Sequence, residues 1–173
     1  MKVFLNPGHA PNGQPDPGAC GCGLRESDVA AEIVELAAAY LEAAGVETEV
    51  LQSDSLSEIA NTANASGADI FVSVHCNAFN GAAHGTETCV YSLGSEAAAL
   101  GECIQDQIVD ALGTTDRGLK ERPGLYVLSQ TDMPAVLVET AFIDNAHDAA
   151  LLRDQQDEFA RAIARGVTDY ERL

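Results

Sequence analysis

The sequence is short of positive charge. Nine lysines and arginines stand against 27 aspartates and glutamates, a formal net charge of −18 at pH 7. Such a surface repels phosphate backbones and argues against nucleic acid as a partner. The acidity reads first as solubility or salt adaptation, although it also suits a cationic or polar uncharged target. No apolar run reaches the roughly 18 residues of a membrane span, so no span is expected. The amino-terminal run Met1-Lys2-Val3-Phe4-Leu5 meets Asn6-Pro7-Gly8 too soon to be the apolar core of a signal peptide. The expectation is a chain made in the cytoplasm without an export signal, or a domain excised from a longer protein. The five cysteines, Cys20, Cys22, Cys76, Cys89 and Cys103, form no CxxC pair and no regular framework, which points to reduced thiols. Cys20 and Cys22 lie in a glycine-rich loop, either as a metal or redox pair or as plain loop residues. Thiols one residue apart rarely chelate a single zinc, which favours the loop reading. No HExxH motif occurs, and His9 is followed by Ala10, Pro11 and Asn12 rather than by a glutamate three residues on.

At 173 residues, the chain is expected to form one domain with a substantial core. Lys2 to Leu5 reads as a first strand, followed by a long loop of Pro, Gly, Asn and Cys from His9 to Gly23. Helical spacing of Val29, Ile33, Leu36, Ala37, Tyr40 and Leu41 predicts a helix from about Leu24 to Ala44, closed by Gly45. Val46 to Leu51 alternates as a second strand, and Ser55 to Ser66 is a weaker helix. Asp69 to His75 is nearly continuous in apolar residues, the pattern of a parallel strand covered on both faces. Gly85 to Ser92 is a fourth strand, Ser95 to Leu112 a third helix, and Leu125 to Leu128 a short strand. Pro134 to Glu139 is a further buried strand. Asn145 is the expected N-cap of one last helix with the stripe Leu152, Phe159, Ile163, Val167 and Tyr170. The alternation predicts an α/β class: a single domain with a twisted, mostly parallel sheet of about six strands and helices on both faces.

In such a sheet ligands bind at the carboxyl ends of the strands. The first strand runs out into His9, the third ends at His75, and the Pro134 strand ends at Glu139. Glu26 falls in the first turn of the helix that follows the first strand, on the same edge. Two imidazoles and a carboxylate form a catalytic zinc set, and a second carboxylate can serve as general base. Taken alone, His9 reads as a loop residue and Glu26 as a dipole-compensating helix start. Glu139 is harder to explain that way. It follows Ala135-Val136-Leu137-Val138 and precedes Thr140-Ala141-Phe142-Ile143, so its carboxylate needs a metal, a partner or a raised pKa. His84 and His147 lie away from the carboxyl edge and read as surface residues. Cys76 should face away from the side that His75 presents.

Four blocks carry a resemblance: Asn6-Pro7-Gly8-His9, Gly23-Leu24-Arg25-Glu26, Ser73-Val74-His75-Cys76-Asn77-Ala78 and Pro134-Ala135-Val136-Leu137-Val138-Glu139. In order and spacing they resemble the signature blocks of zinc-dependent N-acetylmuramoyl-L-alanine amidases of the amidase-3 type, found in autolysins and phage endolysins. Arg117-Gly118-Leu119-Lys120 and Phe142-Ile143-Asp144-Asn145 add lesser similarities. The resemblance implies zinc (Zn2+) held by His9, Glu26 and His75. A metal-bound water would attack, with Glu139 as general base and then acid. It also implies a substrate: the amide between N-acetylmuramic acid and the L-alanine of the peptidoglycan stem peptide. Action on the bacterial cell wall follows, with peptidoglycan as partner, as does one catalytic domain over residues 1–173, a monomer with no wall-binding module. A zinc carboxypeptidase or other peptidase on a similar sheet, or an inactive wall-binding domain, are the alternatives. The chain departs from the family where Asn6 replaces a frequent Asp, where Ala10-Pro11 follows the first histidine, and where Leu51 to Ile59 lacks the usual arginines.

Overall fold

The computed structural model describes every residue from Met1 to Leu173. In chain order the elements are β1 (Lys2–Pro7), β2 (Cys20–Gly21), β3 (Leu24–Arg25), α1 (Glu26–Ala43), β4 (Glu47–Val50), α2 (Leu56–Ala65) and β5 (Ile70–Asn77). There follow β6 (Thr86–Val90), α3 (Glu96–Leu112), β7 (Asp116–Glu121), α4 (Tyr126–Ser129), β8 (Ala135–Phe142), α5 (Ala146–Asp154) and α6 (Gln156–Tyr170).

Six strands form one sheet in the order β4-β1-β5-β8-β6-β7, and β2 and β3 make a separate hairpin. β4, β1, β5 and β8 are mutually parallel, and β6 runs antiparallel to β8 while pairing in parallel with β7. The α/β class, the six-strand sheet and its mostly parallel sense match the reading of the sequence. β5 and β8 sit at the centre and are apolar on both faces, as the continuous runs of Val, Ile, Leu and Phe require. The larger apolar cluster packs α1, α3 and α6 on one face of the sheet through Ile33, Leu100, Ile104, Phe159 and Ile163. The smaller one covers the other face, where Phe4 and Phe71 stack at 5.8 Å beneath Ile59 of α2 and Val127 of α4. No helix is long and apolar enough to cross a membrane.

Three expectations are corrected. Leu125 to Leu128 is not a strand: Tyr126–Ser129 is a helical turn, with the N–H groups of Leu128 and Ser129 both donating to the Leu125 carbonyl. A four-residue apolar run carries no period that separates the two forms. β7 was not expected, because Asp-Arg-Gly-Leu-Lys-Glu is a charged edge strand without apolar alternation. The last helix is two, since Gln155 leaves the helical region at φ −128 and ψ 27. Asn145 does cap α5, its side chain accepting from the N–H groups of His147 and Asp148.

Candidate metal centre

The strand from Pro134 was expected to end at Glu139, but β8 runs on to Phe142 because its ladder with β5 resumes beyond a register shift. The carboxyl ends of β1 and β5, the first turn of α1 and the middle of β8 carry the four residues singled out above. Glu26 is the pivot. It is the first residue of α1, 4 % exposed, and each of its oxygens holds one imidazole and one backbone N–H. Oε1 lies 2.8 Å from His75 Nδ1 and accepts from the Cys76 N–H at 3.0 Å. Oε2 lies 3.0 Å from His9 Nε2 and accepts from the Ala19 N–H at 2.7 Å. The two rings meet edge to face with centroids 5.1 Å apart. One ligand atom from each of His9, Glu26 and His75 lies within 4.8 Å of the others, so the trio can hold a metal ion. Burial opposes ionisation of Glu26, but the hydrogen bonds from His75 and His9 outweigh it and hold the carboxyl well below its usual range. The hydrogen bond to Glu26, helped by a second one to Asp16, raises His9 to about 9 against the opposing effect of burial.

The backbone is shaped around these rings. A Cβ on Gly8 would stand 2.4 Å from the His75 ring, and one on Gly18 would stand 2.4 Å from His9 and 2.6 Å from the Glu26 carboxylate. Only glycine leaves both rings where they are. Gln52 ties the loop to the helix, donating from Nε2 to the carbonyls of Gly8 at 3.1 Å and Ser27 at 2.9 Å. It stands in the stretch that lacks the family's arginines. Asn6 is buried and donates to the carbonyls of Pro7 and Leu51 while accepting from the Ser73 hydroxyl.

Glu139 is the register partner of His75 on the neighbouring strand, so the two side chains share a face. Its Oε2 is buried and has no hydrogen-bond partner. Burial raises its carboxyl to about 7 against the opposing pull of His75, and the nearby Glu26 and Glu87 carboxylates add to the rise. A carboxyl poised there can take and return a proton at neutral pH. An open cleft of about 290 Å³ beside His9 and His75 is walled by Asp16, Leu56, Tyr126 and Val127. A larger groove of about 410 Å³ beside Tyr91 and Met133 lies at the opposite end of β8 and holds none of these donors.

Asp16 was missed in the sequence. Its Oδ2 accepts from His9 Nδ1 at 2.7 Å, and its Oδ1 accepts from the Gly18 N–H at 2.9 Å. An acidic residue seven positions after a candidate histidine, inside the same glycine-proline loop, was the available signal. Cys76 directs its buried thiol to Thr140 Oγ1 at 3.6 Å and stays outside the donor set. Cys20, Cys22, His84 and His147 are exposed and also outside it.

An α/β sheet that carries a His-Glu-His donor set and, beside it, a half-buried glutamate with an unpartnered oxygen defines a candidate metallohydrolase. The chain belongs to the N-acetylmuramoyl-L-alanine amidase family, whose model matches residues 3–169. It is similar to the N-acetylmuramoyl-L-alanine amidase LytC of Bacillus subtilis, 39 % identical over 98 % of this chain but only 35 % of LytC. It is 38 % identical to the uncharacterized protein YqiI of the same bacterium, over 97 % of this chain and 84 % of YqiI. Among solved structures, the amidase AmiC2 of Nostoc punctiforme superimposes with a TM-score of 0.91 at 31 % identity, covering 100 % of this chain and 98 % of that one.

Proposed function

We propose that this domain hydrolyses the amide between N-acetylmuramic acid and the L-alanine of the peptidoglycan stem peptide, with zinc as cofactor. The observation that supports this reading is the juxtaposition of the His9-Glu26-His75 donor set with the unpartnered carboxyl of Glu139 on the adjacent strand. The donors fit zinc: two imidazoles and one carboxylate leave room for water and substrate. Gly8 and Gly18 keep the space around them clear. Zinc, when bound, supplies a Lewis acid that polarises the scissile carbonyl and acidifies water. His9, Glu26 and His75 would hold it. With Asp16 accepting the proton on His9 Nδ1, Nε2 would be the nitrogen left to the metal. Glu139 takes the proton of the attacking water as general base and delivers it to the leaving L-alanine nitrogen as general acid. Water is consumed, the lactyl carboxylate forms, and the peptide leaves with a free amine. The cell wall is then the site of action, in keeping with similarity to a protein of Bacillus anthracis named as an uncharacterized cell wall amidase.

Labelling of new amino termini on digested peptidoglycan tests the reading. The expected product carries amino-terminal L-alanine. New termini at any other residue would identify a peptidase, and no new termini would identify a binding domain.

A further inference from the structure

The row of side chains through His75 and Glu139 continues one strand further. Glu87 on β6 is the register partner of Glu139, on the side away from His75. It is 7 % exposed, and both of its oxygens are occupied. Oε2 accepts from Arg117 Nε at 2.8 Å, and the Arg117 guanidinium lies over the Phe142 ring at 4.9 Å. Oε1 accepts from Asn77 Nδ2 at 3.3 Å. Asn77 belongs to β5, and β8 lies between β5 and β6. The Asn77–Glu87 bond therefore arches over β8 beside Glu139. The β5–β8 register shifts between His75 and Asn77, so Asn77 pairs with Phe142. The carboxamide is held at its other end too, Oδ1 accepting the Ala78 N–H at 2.9 Å. A carboxamide nitrogen carries two hydrogens, and the second here has no protein partner.

We propose that Asn77 is a substrate-binding residue that donates this free Nδ2 hydrogen to a backbone carbonyl of the stem peptide. Glu87 and Arg117 are its positioning residues. The peptide side is assigned because Glu139 must reach the leaving nitrogen, and Asn77 reaches across the strand that carries Glu139. Arg117 acts through Glu87: its ion pair and its stacking on Phe142 keep Glu87 turned toward Asn77 rather than toward solvent. The inference rests on the proposed function for the identity of its ligand.

The test is the affinity of zinc-loaded protein for a soluble N-acetylmuramoyl peptide, measured by calorimetry in a Glu139→Gln background that stops turnover. Asn77→Ala should weaken binding about tenfold, the loss of one hydrogen bond to the ligand. Glu87→Ala should weaken it similarly, and the Asn77→Ala/Glu87→Ala pair no more than Asn77→Ala alone, because linked residues do not add. Zinc content should stay at the parent level. If Asn77→Ala loses zinc or unfolds, Asn77→Leu decides, being of about the same size, uncharged and without the donor. Parent affinity in the interpretable variant, or fully multiplicative losses in the pair, would overturn the relay. Failure of the two readings is separable. Protein with intact Glu139 that leaves peptidoglycan uncut, together with an Asn77-dependent affinity, sinks hydrolysis and keeps the relay. Cutting with an Asn77-independent affinity does the reverse.

Discussion

Asp16 Oδ2 accepts a 2.7 Å hydrogen bond from His9 Nδ1, and the same carboxylate secures the Gly18 N–H through its other oxygen. One side chain thus fixes a candidate ligand's ring and the backbone turn on which that ring rests. His9 needs such help, because it lies on a long loop and adopts φ +64, which non-glycine residues rarely do. His75 is carried instead by the central strand. Asp16→Ala should lower zinc affinity some 10- to 100-fold, the usual cost of losing an outer partner of a ligating histidine. Competition against a fluorescent chelator measures it, and unchanged affinity would remove Asp16 from the site.

Two glycines with similar backbones separate strain from contact. Gly18 (φ +67) and Gly23 (φ +81) both occupy the left-handed region, where any side chain costs about 1 kcal/mol or more. A Cβ on Gly18 meets His9 and Glu26, whereas one on Gly23 meets nothing within 4 Å. Gly18→Ala should lose zinc and activity, while Gly23→Ala should show only a modest fall in melting temperature with full zinc content. Equal zinc content in the two variants would contradict the role given to Gly18.

Glu139 should leave a mark on stability in the metal-free protein. Its folded pKa is raised from 4.5 to about 7 by burial. Between those values the folded chain holds a proton that the unfolded chain has released, so stability falls as pH rises through the window and levels off above it. Glu139→Gln removes the group. In the presence of chelator the variant should be more stable than the parent at pH 8, by up to about 3 kcal/mol, with the difference vanishing near pH 4. Urea unfolding across pH reads this directly, and a pH-independent difference would place the carboxyl in water.

Asn6 stands where the family frequently has aspartate, and here it works as a donor to two carbonyls, Pro7 and Leu51. A carboxylate in that buried position would face both oxygens with no hydrogen to offer. Asn6→Asp should therefore destabilise the domain by roughly 2 to 3 kcal/mol. A neutral outcome in thermal unfolding would show that the pocket relaxes around the acid.

The sequence made the central strands and two of the candidate side chains, His75 and Glu139, stand out for one physical reason, whereas His9 and Glu26 gave no such local signal and were picked out by their place at the strand edge and by the resemblance. β5 and β8 are almost wholly apolar up to His75 and Glu139, so a histidine and a glutamate after such runs stood out as polar groups in need of partners. What stayed hidden depends on distant contacts. β7 forms because it pairs with β6, and its Asp, Arg, Lys and Glu give no local strand signal. The antiparallel sense of β6 against β8 is invisible to periodicity, yet it sets Glu87 opposite Glu139. Asp16 lies in a loop whose path follows from its hydrogen bonds rather than from any repeat.

Mass spectrometry of the products from purified peptidoglycan reads out zinc-dependent cleavage at a single amide. With zinc, the predicted products are intact stem peptides beginning at L-alanine and glycan strands bearing free lactyl carboxylates, and both disappear on chelation and in Glu139→Gln. Peptides cut internally would show a peptidase, and the same products in the presence of chelator would rule out zinc as the cofactor.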